Sequence, residues 1–161
     1  MVEIRLVDKD ERETLFAMAQ RSWQEWMPQA RVVTDPIEGA KYFTSHFQIN
    51  APTISVWWAH RDGKLIGFAR LELREDWRGL PWAELTDFDI EPQWRRRRHG
   101  TGFAQALLAW LERQGNFRVE LNVRVGLLPI AAPCREHLGF EVVMHRFRRQ
   151  GPYQYRTSAR S

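Results

Sequence analysis

The sequence predicts a mixed α/β (α+β) fold in one domain, with a mostly antiparallel sheet of six to seven strands and about four helices. Three observations carry this. Short apolar segments with β-branched and aromatic residues are joined by a hairpin signal at Asp62-Gly63. A strand–helix–strand unit follows them, built around Gly100 and Gly102. No repeat, linker or composition shift divides the 161 residues, a length that suits one buried core. Hairpins first and one crossover later describe a mixed sheet, not a doubly wound one.

Val2 to Val7 alternates as a short strand, and Asp8 with Glu11 three positions on forms a capping-box pattern. The helix behind it runs to about Trp26, with Phe16, Ala19, Trp23 and Trp26 near helical spacing. Asp35, Pro36 and Glu38 start a second helix, which ends near Gln48. Thr53 to Ala59 is a strand. Leu65 to Leu73 is its hairpin partner, with Leu65, Ala69, Leu71 and Leu73 on one face. After a polar loop from Arg74 to Pro81, Trp82 to Ile90 is a strand that Pro92 ends. Strand alternation groups Glu84 with Thr86, Phe88 and Ile90, and Leu85 with Asp87 and Asp89. The helix opened by Gly100 carries Ala104, Leu107, Leu108 and Leu111 on its apolar stripe, and Gly115 closes it. Arg118 to Val123 is a strand, and Pro133 to Leu138 a short helix with Pro133 in its first turn and Gly139 at its end. Phe140 to Phe147 is a strand, with another at Tyr153 to Thr157.

The formal charge is +4, and all but Lys9, Lys41 and Lys64 of the 24 basic residues are arginine, whose planar fork suits phosphate and carboxylate. A single cysteine, Cys134, excludes an internal disulfide and fits a reducing compartment. Met1 to Thr14 lacks a signal-peptide core, and no window approaches the roughly 20 apolar residues of a membrane span. The expectation is a cytoplasmic protein. Cys134 and His137 have a metal-like spacing but no second pair, so no metal is expected.

The chemistry concentrates between Ile90 and Leu111. There a strand and a proline lead into Arg95-Arg96-Arg97-Arg98-His99, then Gly100-Thr101-Gly102 and a helix. A helix N-terminus presents unpartnered N–H groups and favours anions, glycines let a phosphate approach the backbone, and arginines add charge-assisted bonds. A dinucleotide fingerprint would need a small residue where Gln105 stands, and an NTPase loop would need Gly-Lys-Ser/Thr. A diphosphate site and a merely glycine-softened helix start behind solvated arginines both remain open on these residues.

Four motifs in order resemble the GNAT acetyltransferases. Asp62-Gly63-Lys64-Leu65-Ile66-Gly67-Phe68-Ala69 looks like their hairpin and third strand, and Ile90-Glu91-Pro92 like the end of their fourth. Arg97-Arg98-His99-Gly100-Thr101-Gly102 is similar to their pyrophosphate motif, and Leu138-Gly139-Phe140 to their last helix–strand junction. The resemblance covers almost the whole chain in the expected order and implies one domain over residues 1–161. It implies a splayed central sheet and acetyl-CoA as co-substrate. Asp89 and Ile90 would hold the thioester carbonyl and pantetheine arm. Gly100, Thr101, Gly102 and Phe103, with Arg95, Arg97, Arg98 and His99, would hold the diphosphate. Glu84, six residues before Ile90, is placed like the glutamate that deprotonates the amine in histone-acetylating members.

Two departures stand out. Pro92 to Arg97 is five positions, two more than the family usually shows, so Arg95 could share the role of Arg97. Arg135 occupies the place of a tyrosine that protonates the departing thiolate, and Leu128 that of an asparagine. Arginine cannot act as an acid but could stabilise a thiolate. The expected function is acetyl transfer from acetyl-CoA to a primary amine. Two rivals are a degenerate member that binds acyl-CoA without transfer, and a nucleic-acid-binding module built on Arg95–Arg98 and the basic tail. The clustering of arginines beside a Gly-x-Gly helix start argues against the latter. Glu72, Glu75, Asp76, Asp87 and Asp89 suggest a cationic acceptor, and many relatives form homodimers.

Overall fold

The computed structural model describes residues 1–26, 44–49, 51–115, 118–123 and 128–144. Among them five strands form one sheet in chain order: β1 (Glu3–Leu6), β2 (Ile54–Arg61), β3 (Lys64–Glu75), β4 (Pro81–Ile90) and β5 (Val119–Leu121). The first four are antiparallel, and β5 joins β4 in parallel. The helices are α1 (Arg12–Trp26), α2 (His99–Arg113) and α3 (Leu128–Leu138), with 3₁₀ turns at Lys9–Glu11 and Pro92–Trp94.

Two cores lie on opposite faces of the sheet. On one, Phe103, Leu107 and Leu111 of α2 pack on Ala59, Ala69, Leu71, Leu85 and Ile90, and the Trp57 and Trp110 rings meet at 4.7 Å. On the other, Leu15, Met18 and Ala19 of α1 pack with Phe47 on Val56, Trp58 and Phe68. Each helix thus buries one apolar stripe, as the 3.6-residue period requires. Among the described residues no helix is long and apolar enough to cross a membrane.

The start of α1 follows the capping-box pattern. The Asp8 N–H donates to Glu11 Oε2 at 2.9 Å, but a 3₁₀ turn precedes the α-helix proper. Of the second predicted helix, residues 35–43 lie outside the described residues, and Thr44–His46 are helical.

Several expectations need correction. The described sheet has five strands, not six or seven. Residues 140–144 form no strand. Val142, Val143 and Met144 are exposed there with no ladder partner among the described residues. The predicted strand at 153–157 lies outside the described residues. β3 extends to Glu75, because the hairpin is closed by Asp76, whose carboxylate accepts the Arg78 and Leu80 N–H groups at 2.8 and 3.1 Å. α3 begins at Leu128, which puts Pro129 in its first turn and Pro133 in its interior. Gly139 follows it at φ 73°, as a left-handed helix stop.

Two bulges matter most. Between Ala59 and His60 the register on β3 skips from Gly67 to Leu65, so Ile66 is an extra residue. Leu65 therefore joins the α1 core, away from Ala69 and Leu71. On β4 the register skips from Leu85 to Asp87 opposite Leu71 and Arg70, so Thr86 is the extra residue. The phase reverses there. Ala83, Leu85, Phe88 and Ile90 face α2, while Glu84, Asp87 and Asp89 share the α1 face.

Candidate active site

β4 is the axis of the site. Among the described residues β5 pairs with it only over Ala83–Leu85, whereas β4 continues to Ile90, so the described sheet splays beyond the bulge. The Ala83 N–H points to β5, donating to the Arg118 carbonyl at 3.0 Å, and the Glu91 N–H points to β3, donating to the Ile66 carbonyl at 2.8 Å. Backbone alternation back from Glu91 turns the Asp89 peptide towards β3 and those of Ile90 and Phe88 towards the splay. Of the two residues expected to offer backbone to a thioester, only Ile90 faces that opening, with Phe88 beside it. The Asp89 carbonyl is directed at Gly67, where a Cβ would stand 2.2 Å away.

Just beyond β4, the loop leads into α2. Arg96 and Arg98 adopt left-handed conformations, φ 60° and 61°, which cost an L-residue roughly 1–2 kcal/mol each. Arg98 is the N-cap and makes no capping bond through its side chain. The first intrahelical bond runs from the Gly102 N–H to the Arg98 carbonyl at 3.0 Å. The amides of His99, Gly100 and Thr101 are the unpaired helix-start donors that suit an anion. Arg96, Arg97 and Arg98 are exposed and make no ion pair or side-chain hydrogen bond with the described residues. Strained backbone beside guanidiniums that have no partner among the described residues makes this loop a candidate site.

Four of the expected phosphate contacts have other partners within the fold. Arg95 turns inward: its guanidinium binds both Glu25 oxygens, lies 3.1 Å from Asp89 Oδ1, donates from Nε to the Ile90 carbonyl at 2.6 Å and covers the Trp26 ring at 4.7 Å. A guanidinium so engaged has no free edge for a phosphate. Phe103 is fully buried and stacks on Phe88 at 5.0 Å, so its side chain belongs to the core. Gly102 is small for packing as well, since a Cβ there would stand 3.2 Å from Val2 Cγ2. His99 sits edge-on to Trp94 at 5.5 Å.

The α1 face of β4 carries three carboxylates. Glu84 is held at both oxygens, by Asn122 Nδ2 at 2.7 Å and Arg74 at 2.8 Å. Arg74 also reaches Glu72, which stands opposite Glu84 in the register, and so offsets two facing like charges. Asp89 is buried, and burial pushes its carboxyl above the usual range while the Arg95 charge and the Trp26 Nε1–H at 3.3 Å oppose the shift. Asp87 accepts a hydrogen bond at Oδ2 from His46 Nε2. His46 is the residue that sequence reasoning missed, because a lone histidine in a helical segment carries no local signal. Arg135 lies exposed on α3, which packs beside α2. The Cys134 thiol is half-buried, and that burial raises its pKa.

Residues 16–140 match the family model described as acetyltransferase (GNAT) family. A search of curated protein sequences finds no match. Among known structures, a predicted acetyltransferase with acetyl-CoA from Clostridium acetobutylicum is similar at TM-score 0.66 and 16% identity, over 93% of this chain and 96% of that one. The ribosomal-protein-alanine N-acetyltransferase from Brucella melitensis biovar Abortus 2308 gives TM-score 0.67 and 15% identity over 94% and 100%. An aminoglycoside acetyltransferase from an uncultured soil metagenomic sample, in complex with sisomicin, gives 0.66 and 14% over 93% and 97%. At such identities the likeness speaks for the fold. With a family model covering most of its length and a splayed sheet running into an anion-ready helix start, the chain belongs to the GNAT acetyltransferase family.

Proposed function

We propose that the protein transfers the acetyl group of acetyl-CoA to a primary amine by direct attack. One observation carries the reading: the open edge of β4 beyond Thr86 leads straight to the unpaired amides of His99, Gly100 and Thr101. The diphosphate would lie on those amides with Arg97 and Arg98 beside it, and the pantetheine arm along the Phe88 and Ile90 backbone. The amides facing the splay would stabilise the oxyanion that forms when the amine adds to the thioester. Arg135 would stabilise the thiolate that leaves. An alkyl ammonium, with a pKa of about 10.4, must first lose a proton, and the α1 face of β4 supplies carboxylates for this.

The acceptor face is less acidic than its sequence suggests. Glu72 is neutralised by Arg70 and Arg74, and Asp76 is used in its own hairpin. This supports a monoamine acceptor more than a polycation. The neighbours named for ribosomal-protein alanine and for an aminoglycoside span both kinds. A second reading, acyl-CoA binding without transfer, is favoured by Arg135 standing where the resemblance expects a tyrosine. The test is thiol release from acetyl-CoA with amine panels, alongside the melting temperature. A ligand at 100 times its Kd adds about 2.7 kcal/mol, or roughly 5–10 °C for a chain this size. A melting shift without thiol release selects the second reading, and no shift removes both.

A further inference from the structure

Resting on that reading, we infer that the amine's proton is taken by the Asp87–His46 pair and not by Glu84. The bulge at Thr86 turns Asp87 onto the acceptor face beside the open edge of β4, where a thioester carbonyl would lie. Glu84 sits one step back, where β5 still covers the edge, and each of its oxygens is bound. Protonating Glu84 would break its bridge to Arg74. Asp89 is buried against Arg95 and Trp26. Asp87 differs in its partner: an imidazole can accept or give up a proton, and a guanidinium cannot.

The pair is fixed from both sides. Buried Arg70 donates from Nε to the His46 carbonyl at 2.8 Å and from Nη1 to Thr86 Oγ1, also at 2.8 Å, so one guanidinium ties the histidine backbone to the bulge beside Asp87. The His46 ring stands edge-on to buried Phe47 at 4.9 Å. Both side chains keep some contact with solvent, 14% for His46 and 28% for Asp87, as a proton acceptor needs. Among the described residues, the charged groups around the pair are Arg70 and Glu72 from β3, Glu84 and Asp89 from β4, and Arg95 with Glu25 beyond Asp89. Each of these is in an ion pair.

With Nε2 protonated, the imidazole donates to Asp87 Oδ2, and the pair enters the step holding one proton. The acceptor ammonium gives a second proton to the pair and gains a free lone pair. That lone pair forms the N–C bond at the acetyl carbon. The C–S bond breaks with its electrons on sulfur, and the thiolate takes the remaining extra proton of the new amide nitrogen. The pair then returns its proton to water, which leaves an amide, CoA thiol and one released proton.

The experiment uses the full chain with acetyl-CoA and three amines: sisomicin, an alanine-initiated peptide and a lysine-containing peptide. Asp87→Asn and His46→Ala should each lower kcat by roughly 10²–10⁴ and remove the acidic limb of the pH–rate profile, with the CoA melting shift unchanged. Added imidazole should restore part of the His46→Ala rate, which a merely structural histidine would not allow. Glu84→Gln should keep the limb. Should Asp87→Asn fail to fold, His46→Ala and its rescue decide. Near-normal rates in both variants, or loss of the limb in Glu84→Gln alone, overturn the pair. Wild-type protein with no turnover overturns the acetyl-transfer reading, and the pair with it.

Discussion

The carbonyl of Asp89 points at Gly67 so closely that a Cβ on Gly67 would stand 2.2 Å from the oxygen, and only 2.9 Å from Ile90 Cδ1. The obstacle is backbone, which cannot swing aside. Gly67→Ala must push β3 and β4 apart at the end of β4 that borders the splay. The expected cost is about 1–3 kcal/mol, the range for overpacking a tight site, measured by urea unfolding. CoA affinity should fall with it, because the Ile90 backbone moves. Wild-type stability in the Gly67→Ala protein would mean that the two strands are further apart than described.

Arg98 offers a substitution that should raise stability while harming function. Glycine adopts φ 61° without the steric penalty of an arginine and serves adequately as an N-cap. Arg98→Gly should therefore gain up to about 1 kcal/mol in unfolding experiments. It also removes a guanidinium from the proposed diphosphate site, so the CoA melting shift should shrink, and salt should weaken the remaining binding less than in the wild type. Higher stability with an intact CoA shift would place the phosphates away from Arg98.

Much of this fold was legible because its signals are local. The Asp62-Gly63 turn, the Asp8/Glu11 box and the glycine stop at Gly139 each depend on neighbours within a few residues, and each stands where expected. Strict alternation misreads the bulge at Thr86, although its trace is in the residues. The apolar positions of β4 are Ala83, Leu85, Phe88 and Ile90, and the acidic ones are Glu84, Asp87 and Asp89. Both series break by three instead of two at the same place, as one inserted residue must cause.

The site was legible only in part. The glycine-rich helix start could be found from spacing. The inward turn of Arg95 could not, since its partners Glu25 and Asp89 are 70 and 6 residues away in sequence. His46 meets Asp87 across 41 residues for the same reason. Gly102 had a phosphate-based explanation, but Val2, from the other end of the chain, supplies a packing reason as well.

Glu11 predicts an acid-sensitive N-terminus. Hydrogen bonds from Arg5 at 2.7 and 3.0 Å, from the Asp8 N–H and from Trp58 Nε1 hold its carboxyl down at about 2, against an ordinary 4.5. A depressed carboxyl stabilises the fold above its unfolded value, and the contribution is lost as pH falls from about 4.5 towards 2. Glu11→Gln should cost about 1 kcal/mol at neutral pH, a modest value because Arg5 and Glu11 are partly in water. It should also flatten the stability profile in that acid window. A profile unchanged by the substitution would assign the acid loss to other carboxylates.

Arg95 and Asp89 give the most selective test of the network beneath the site. Arg95 keeps 22% of its side-chain surface in water and Asp89 10%, so removing the cation leaves a largely buried carboxylate without its charge partner. Arg95→Met should cost about 2 kcal/mol at neutral pH, less than the roughly 3–5 of a fully buried pair. The sign with pH follows from burial, which already raises the Asp89 carboxyl, while Arg95 opposes the rise. Without Arg95 the rise is larger. Between the unfolded and folded values the native state then holds a proton that the unfolded chain has lost, so stability falls as pH climbs. The variant should therefore approach wild-type stability near pH 4 and diverge from it towards pH 7. Adding Asp89→Asn removes the charge, and should recover most of the loss and abolish the slope. A loss that is the same at every pH, or one that Asp89→Asn does not relieve, would mean that Arg95 acts through Glu25 and the Trp26 ring instead.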